Sequence, residues 1–429
     1  MTRSWEQFVW NGIVYILFAC LFLSTYSSPA RGYNPVDQVY SKYSYFILLF
    51  IFLFLLLLSF SSQFGKIPDT SVTVGVILFI IFGGLIILSS INRPSSLRWV
   101  LSPVGWTLLW FLVIVTGINF IDMSPKFYTS ILRWFVIRYA FISLVVALLA
   151  AVITEVSIGP IKIIQYPDYP RLAGWYVNPN GLAPVLVTGV LCTISAGINE
   201  LNKRGKVLYY SLAILFGLGV VLTGSRGPVG ALIISLFIYG MVSFRSKSKK
   251  LKLHHYMIGA CVLFGGALTL VFLLTWIDLF QRSDPFSRFE IWQGTTSIIR
   301  TASTPELLFG HGHRYFIEVT GSSPHSDYIR FLVNYGLLSI ITLASIAAVT
   351  IRSILRYLRH EHTRRGFDIG LFSSLLVYIS IYMIYGQATF QVKFSSFIFV
   401  AAIAPLLAYG NPIIKLQHFS KNNSASSVE

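Results

Sequence analysis

The sequence predicts an all-α protein that is embedded in a membrane through most of its length. Of its 429 residues, 55% are hydrophobic and only 11% are charged, whereas a soluble domain carries about 25% charged residues. The mean hydropathy is +0.70, and long apolar runs recur from one end of the chain to the other. Because a bilayer core about 30 Å thick is crossed by roughly 20 helical residues, these runs are typical of a polytopic membrane protein.

Twelve apolar runs predict about 12 transmembrane helices and a single integral membrane domain over residues 1–429. No internal repeat and no soluble domain interrupts the series. An even number of spans would place both termini on the same side of the membrane. The predicted runs lie near residues 8–27, 45–64, 71–90, 99–120, 135–157, 181–197, 207–223, 228–244, 256–277, 328–351, 368–386 and 394–410.

The distribution of positive charge orients this set of helices. The net charge is +17, from 33 Lys and Arg against 16 Asp and Glu. Loops that stay in the cytoplasm carry an excess of Lys and Arg, which also attract anionic lipids. The charge therefore predicts cytoplasmic termini and contact with membrane lipids, not with nucleic acid. The basic clusters follow the sixth, eighth and tenth runs, at Lys203, Arg204 and Lys206, at 245–252 and at 352–365.

Two long segments on the opposite, outer side break this charge rule. The segments near 158–180 and 278–327 carry Arg171, Arg288 and Arg314 among Trp, Tyr, Gly and His. Arginine forks bind phosphate oxygens bidentately and keep their charge. We therefore expect an anionic ligand on the outer face, with 278–327 as a large catalytic loop between helices 9 and 10. Arg330 lies near the outer end of the tenth run, where a charged residue is either functional or directed towards the interface.

Two short motifs lie at the outer ends of spans. Thr223-Gly224-Ser225-Arg226-Gly227 ends the seventh run, and Pro228 favours the start of the eighth helix. Arg226 would then lie beside a helix N-terminus, which favours anions, although the turn could also be purely structural. Asn178 and Asn180, on either side of a proline, are typical of turns and helix caps.

The strongest candidate for a catalytic base is His325, which follows Pro324 at the mouth of the tenth run. A neutral imidazole, with a pKa near 6.5, can take a proton from a hydroxyl at neutral pH. Ser326 and Asp327 follow directly, and Asp327 could orient the imidazole. The alternative is an interfacial histidine that only caps the helix.

A metal site is the rival hypothesis, because His311, His313 and His325 offer three imidazoles. Catalytic zinc takes three protein ligands and a water. The sequence has no HExxH motif and no acidic pair at ligand spacing. We therefore predict neither a metal nor another cofactor.

The order of these motifs resembles that of the O-antigen ligase and O-antigen polymerase family of bacterial membrane glycosyltransferases. The ligases carry His, then Asn, Ser or Gln, nine residues and Gly, which match His325, Ser326 and Gly336. Three residues later the ligase pattern has Gly, Thr or Tyr, and this chain has Ser339, which bears on the choice between ligase and polymerase. The other matching motifs are Asn178-Pro179-Asn180, Thr223 to Gly227, Ser287-Arg288 with Trp292, and Gly310-His311-Gly312.

The resemblance implies a C-type glycosyltransferase fold and a metal-independent, inverting reaction on the periplasmic face of the bacterial inner membrane. The donor would be a glycan on undecaprenyl pyrophosphate, and the acceptor lipid A-core for a ligase or another glycan for a polymerase. His325 would be the catalytic base, with Arg226, Arg288 and neighbouring Arg171 on the pyrophosphate. Arg314 and Arg330 are also candidates for binding the pyrophosphate, but the reason is their positive charge near the outer face and not the resemblance. A lipid-linked sugar transporter or flippase is the alternative from another functional class.

Overall fold

The computed structural model describes the part of the chain in which most of these motifs lie. The described residues are 70–91, 107, 114, 125–153, 155–158, 161–164, 171–176, 179–247, 287–312, 315–321, 326–359, 368–385 and 394–409. The predicted spans 8–27, 45–64 and 256–277, and nearly all of 99–120, lie outside the described residues.

Within this part the fold is helical, apart from one two-stranded hairpin and a single 3-10 turn at Gly174–Tyr176. Strand β1 (Glu155–Ile158) pairs antiparallel with β2 (Ile161–Ile164). Five of the helices are long and apolar enough to cross a membrane, namely α2 to α5 and α9. The helices are α1 (Thr70–Ile91), α2 (Pro125–Val152), α3 (Pro179–Asn199), α4 (Lys203–Leu222), α5 (Arg226–Lys247), α6 (Ser287–Thr301), α7 (Thr304–Phe309), α8 (Tyr315–Thr320), α9 (Asp327–Arg359), α10 (Ile369–Tyr385) and α11 (Phe394–Tyr409).

Helix α2 differs from its predicted span. It begins at Pro125 and ends at Val152, whereas the apolar run predicted residues 135–157. The charged residues Arg133 and Arg138 lie within the helix and made its start hard to predict from hydropathy. Both have partners in the structure, and Arg133 donates to the Ser195 carbonyl. The Arg138 guanidinium lies over the ring of Trp134, 3.5 Å from its centroid. At the other end, the helix ends at Val152, and strand β1, which contains the β-branched residues Val156 and Ile158, begins at Glu155.

Helix α3 lies at the centre of the described bundle. Nearly every side chain from Leu182 to Thr193 is buried, because α3 packs against α2 on one side and α4 on another. Helix α4, in contrast, exposes Val207, Ile214 and Leu218 on its outward face. Exposed apolar side chains on a helix of this length are expected where it faces lipid.

Side chains from several helices meet at two opposite ends of the bundle. One end, called here the arginine end, contains Arg171, the N-termini of α3, α5 and α9, and the C-termini of α4 and α10. The other, the Asp368 end, contains the C-terminus of α3 and the start of α10. There the Asp368 carboxylate accepts hydrogen bonds from the hydroxyls of Ser195 and Tyr239 and from the Asn199 amide. It also caps α10 by accepting the Leu371 N–H at 2.9 Å.

Helix α9 is broken at Gly336, where φ is 80° and ψ is 175°. Residues 327–335 are buried or half-buried throughout, whereas the stripe of Leu337, Ile341 and Leu355 is exposed. Residues 337–356 are long enough by themselves to cross a bilayer, which takes roughly 20 helical residues. The break therefore separates a segment that is enclosed by protein from one that exposes a stripe of apolar side chains.

The segment predicted as a large loop, residues 278–327, is helical over much of its length. Helices α6, α7 and α8 lie within it, and α7 packs most closely against α9. Helix α7 begins with a capping box, in which Ser303 and Glu306 satisfy each other's backbone N–H groups. The loop is thus a set of short helices attached to the first half of α9.

Candidate functional site

The turn between α4 and α5 is the centre of the arginine end. The N–H groups of Thr223 and Gly224 bond back to carbonyls of the last turn of α4. The Ser225 carbonyl then accepts the Val229 N–H at 3.4 Å, so Ser225 stands directly before α5, and Arg226 is the first helical residue. As the sequence predicted, Arg226 lies at a helix N-terminus.

Arg171 binds both sides of this turn. Its Nε donates to the Thr223 carbonyl at 2.7 Å, and its Nη2 donates to the Ser225 hydroxyl at 3.1 Å. The next residue, Leu172, donates its N–H to the Leu222 carbonyl at 3.1 Å. A guanidinium at the C-terminal carbonyls of α4 is favourable because these carbonyls carry the negative end of the helix dipole.

Asn180 joins the same network from the N-terminus of α3. Its Oδ1 accepts the Ser225 hydroxyl at 2.7 Å, and its backbone carbonyl accepts the Tyr382 hydroxyl at 2.8 Å. Three motifs that are far apart in the sequence, at Arg171, Asn180 and Thr223 to Arg226, therefore meet at one place. Tyr382 of α10 completes the network, and the sequence did not single it out.

A second polar group lies at the start of α9. Asp327 is fully buried and Arg330 nearly so, and Arg330 Nη2 lies 2.5 Å from Asp327 Oδ1. The Ser326 hydroxyl donates to the Met383 carbonyl at 3.4 Å. Met383 follows Tyr382 in α10, so the last turns of α10 contact both polar groups. Ser326, Asp327 and Arg330 thereby share the arginine end with Arg171 and Asn180.

The Gly310-His311-Gly312 motif binds the broken part of α9 through its backbone. In a continuous helix the carbonyls of residues 333 and 334 would accept the N–H groups four residues later. Here the Val333 carbonyl accepts the His311 N–H at 3.0 Å, and the Asn334 carbonyl accepts the Gly312 N–H at 2.9 Å. The Asn334 Oδ1 also accepts the N–H of Phe316, in the first turn of α8, at 3.2 Å.

The side chain of His311 is buried beside this joint. Its ring stacks on Tyr315 with the centroids 4.3 Å apart, and its Nδ1 lies 3.4 Å from Glu306 Oε1. Hydrogen bonds from the backbone and hydroxyl of Ser303, with a smaller contribution from His311, lower the pKa of the Glu306 carboxyl. Within the residues that the structure describes, no three His, Cys, Asp or Glu side chains are placed to hold a metal ion.

Several predicted residues fall outside these two groups. His325, Asn178, Arg314 and His313 lie outside the described residues. Arg288 is the second residue of α6, near the N-terminus of that helix. The roles predicted for these residues, and the phosphate-binding role predicted for Arg226, stay predictions.

Sequence reasoning missed two contributors to the site. Tyr382 lies near the C-terminal end of an apolar run, and amphipathic aromatic residues at the ends of spans were the available signal. Asn334 lies between His325 and Gly336 in the motif already singled out, and its polarity within a predicted span could have marked it.

No protein-family model matches the chain, and no curated protein matches it.

Proposed function

We propose that the chain is an inverting, metal-independent glycosyltransferase that acts on a lipid-linked glycan. The donor is a glycan on undecaprenyl pyrophosphate, and the favoured acceptor is lipid A-core, which makes the protein an O-antigen ligase. The main support is the meeting of the Arg171–Ser225–Asn180 network, the start of α5 and the Ser326–Arg330 segment at one end of the bundle. His325 directly precedes that last segment in the chain.

In the proposed reaction, His325 takes the proton from an acceptor hydroxyl while the oxygen attacks the anomeric carbon of the donor sugar. The bond from that carbon to the phosphate oxygen breaks, and the pyrophosphate leaves with the bonding electrons. A single displacement inverts the anomeric centre. The leaving group needs no proton, because arginines placed in advance stabilise its growing charge.

The arginines proposed for this role are Arg226 and Arg288, with Arg171, Arg314 and Arg330 as further candidates. Arg226 has the most specific support, because it begins α5 at the arginine end. Asp327 is paired with Arg330 inside the protein. In this mechanism the ion pair fixes the start of α9 and, through it, the base that precedes Ser326.

The proposed location is the bacterial inner membrane, with multiple spans, the arginine end facing the periplasm and both termini in the cytoplasm. A C-terminal reporter fusion that is active only in the cytoplasm tests this orientation. Activity of a reporter that requires the periplasm would reverse the orientation and move the site to the wrong side for periplasmic transfer.

Two alternatives differ from the ligase in acceptor or in class. A polymerase would use the same donor and base but transfer to another lipid-linked glycan. A transporter or flippase would need a polar path that opens to each side in turn. The hydrogen-bonded Asp368 end joins α3, α5 and α10 on the opposite side of the bundle, and this favours a site that opens to one side only.

The deciding experiment is a lipopolysaccharide gel from a strain that lacks the gene, with the pool of lipid-linked glycan measured in parallel. Core without O-antigen, with long glycan accumulated on undecaprenyl pyrophosphate, identifies a ligase. Core that bears a single repeat unit identifies a polymerase. An unchanged gel together with an unchanged lipid-linked pool rejects both.

Complementation then tests the base. The wild-type gene should restore the gel pattern and His325→Ala should not, at equal protein level in the membrane. His360→Ala is the matched control, because His360 lies in a loop predicted to be cytoplasmic, and it should restore the pattern. In vitro, transfer should continue in the presence of a chelator, and a loss that divalent metal restores would overturn the metal-free mechanism.

A further inference from the structure

We infer that Arg171 is a positioning residue, which acts on the donor pyrophosphate through Arg226 by fixing the turn between α4 and α5. This inference rests on the proposed function, but it assigns to Arg171 a role different from direct phosphate binding. It also extends the site to Ser225, Asn180 and Tyr382, which hold the same turn.

The contacts of Arg171 span the turn. The Thr223 carbonyl, at the C-terminal end of α4, accepts from Nε at 2.7 Å. The Ser225 hydroxyl, on the residue before α5, accepts from Nη2 at 3.1 Å. Because a guanidinium is planar and rigid, binding both groups fixes the distance between them. Thr223 and Ser225 are buried, which shields both hydrogen bonds from competing water.

The Ser225 hydroxyl has partners other than those usual for a serine directly before a helix. A serine before a helix ordinarily accepts the N–H of the second or third helical residue. Here the third helical residue is Pro228, which has no N–H. The hydroxyl of Ser225 instead accepts from Arg171 and donates to Asn180 Oδ1 at 2.7 Å. The start of α5 is thus hydrogen-bonded both to Arg171, before α3, and to the N-terminus of α3 itself.

Tyr382, in α10, adds a hydrogen bond to this network from a fourth helix. Its hydroxyl donates to the Asn180 carbonyl at 2.8 Å. The backbone bond from Leu172 to the Leu222 carbonyl, at 3.1 Å, anchors the segment that carries Arg171. Arg226, the residue after Ser225, is therefore attached to a turn held by α3, α10 and the Arg171 segment together.

A fixed turn matters for the proposed reaction because the positive charge must already be in place when the pyrophosphate leaves. A displacement of about 1 Å at a reacting group can reduce the rate about a hundred-fold. Loss of the Arg171 clamp should therefore weaken the contribution of Arg226 although Arg226 is still present. If both arginines bound phosphate independently, their losses would instead multiply.

The test is a double-mutant cycle of Arg171→Ala, Arg226→Ala and the double variant, with kcat and KM measured against purified undecaprenyl-pyrophosphate-linked glycan. We expect each single variant to reduce kcat/KM about ten- to a hundred-fold. The double variant should be no worse than Arg226→Ala alone. Losses that multiply in the double variant would overturn the positioning role and return Arg171 to direct phosphate binding.

A second measurement needs no activity. Hydrogen exchange of the amides of residues 224–227, on protein in detergent micelles, should become faster in Arg171→Ala and in Ser225→Ala. Ser225→Thr keeps the hydroxyl and is the matched control, so its exchange should stay near that of the wild type. Unchanged exchange in Arg171→Ala would reject the clamp whether or not the protein transfers glycan.

The double-mutant cycle and the hydrogen-exchange measurement together distinguish failure of the positioning role of Arg171 from failure of the proposed function. Faster exchange in Arg171→Ala, in a protein that transfers no glycan even as wild type, rejects the proposed function and upholds the clamp. If Arg171→Ala does not accumulate as folded protein, Ser225→Ala takes its place in the cycle with Arg226→Ala. The expected result is then the same lack of additivity.

Discussion

Gly310 and Gly336 lie back to back where the segment after α7 meets the break in α9. A Cβ on Gly336 would lie 2.5 Å from the Gly310 nitrogen and 2.2 Å from the Leu308 carbonyl oxygen. A Cβ on Gly310 would lie 2.4 Å from the Asn334 carbonyl oxygen. Both residues have positive φ, 83° and 80°. Two motifs that are separate in the sequence therefore meet in one close backbone contact, called here the glycine joint, between the segment after α7 and the break in α9.

The first prediction is that Gly336→Ala strongly destabilises the protein. The backbone angles of Gly336, with positive φ and extended ψ, are essentially restricted to glycine and cost a residue with a Cβ about 1–3 kcal/mol, and the overlap with backbone atoms of Leu308 and Gly310 adds to this. Those atoms cannot move away without stretching the hydrogen bonds that His311 and Gly312 donate to α9. Unfolding in detergent micelles should show a loss of about 2 kcal/mol or more.

Gly217→Ala is the matched control for this prediction. Gly217 lies within α4, and a Cβ there would meet no atom within 4 Å. Alanine in a helix is favoured over glycine by about 1 kcal/mol, so stability should stay equal or rise slightly. Equal stability of Gly336→Ala and Gly217→Ala would show that the joint does not constrain the backbone.

The second prediction concerns the buried pair of Asp327 and Arg330. Removal of one partner leaves the other charge buried, which costs about 3–5 kcal/mol. Asp327→Leu and Arg330→Met should therefore each be strongly destabilising. The double variant should be more stable than either single variant, because it leaves no buried charge. Apparent melting temperatures in detergent test this order, and strictly additive losses would contradict the coupling.

The helices of the described part were largely predictable from the sequence, because hydropathy and length decide whether a helix can cross a bilayer. The predicted spans 71–90, 181–197 and 394–410 lie close to α1, α3 and α11. The prediction was wrong at α2, because its charged residues find partners that only the folded bundle supplies. Arg133, for instance, donates to the Ser195 carbonyl and hydroxyl at 3.2 and 3.3 Å.

The break in α9 could not be read from hydropathy. The run 328–351 looks continuous, and a glycine inside a membrane helix is common. The dihedral angles of Gly336 show that the helix ends and restarts, and the carbonyls of Val333 and Asn334 accept the amides of another segment there. The sequence did mark Gly310 and Gly336, but as parts of two motifs and not as contacting residues.

The sequence identified most residues of the candidate site, but it could not predict which of them are hydrogen-bonded to which. Arg171, Asn180 and Ser225 were all singled out by their motifs, and in the structure the Ser225 hydroxyl is hydrogen-bonded to both of the other side chains. The sequence could not show that Arg171 binds a turn, because that depends on the crossing of α3 and α4. The same limit hid Tyr382, since its partner is a backbone carbonyl.

The third prediction is that Asp368 holds the bundle together at the end opposite the arginines. Its carboxylate accepts from Ser195, Asn199 and Tyr239 and caps α10. Asp368→Ala would take the acceptor away from the buried hydroxyls of Ser195 and Tyr239 and from the Leu371 N–H, at about 1–3 kcal/mol for each unsatisfied group. The melting temperature in detergent should therefore fall clearly.

Tyr239→Phe is the matched control at the Asp368 end. It removes the phenol hydroxyl, with its 3.3 Å hydrogen bond to Asp368 and its hydrogen bonds with Ser243 and Ser195, and keeps the aromatic ring in place. The loss should be about 0.5–1.5 kcal/mol, well below that of Asp368→Ala. Equal losses in the two variants would mean that the carboxylate serves mainly Tyr239 and does not join three helices.

The fourth prediction is a dependence of stability on acid pH that comes from Glu306. The N–H and hydroxyl of Ser303, and to a smaller extent His311, lower the pKa of this carboxyl below its ordinary value of 4.5. A lowered pKa in the folded state means that the ionised carboxylate stabilises α7 above that ordinary value. The contribution is lost as the pH falls through the lowered pKa.

Because Glu306 is largely exposed, solvent screening keeps the effect small. Hydrogen exchange of the first amides of α7 should therefore accelerate in the wild type as the pH falls below the ordinary value and through the lowered pKa, after correction for the intrinsic rate. In Glu306→Gln this acceleration should be absent, and its persistence there would assign the acid sensitivity to another group.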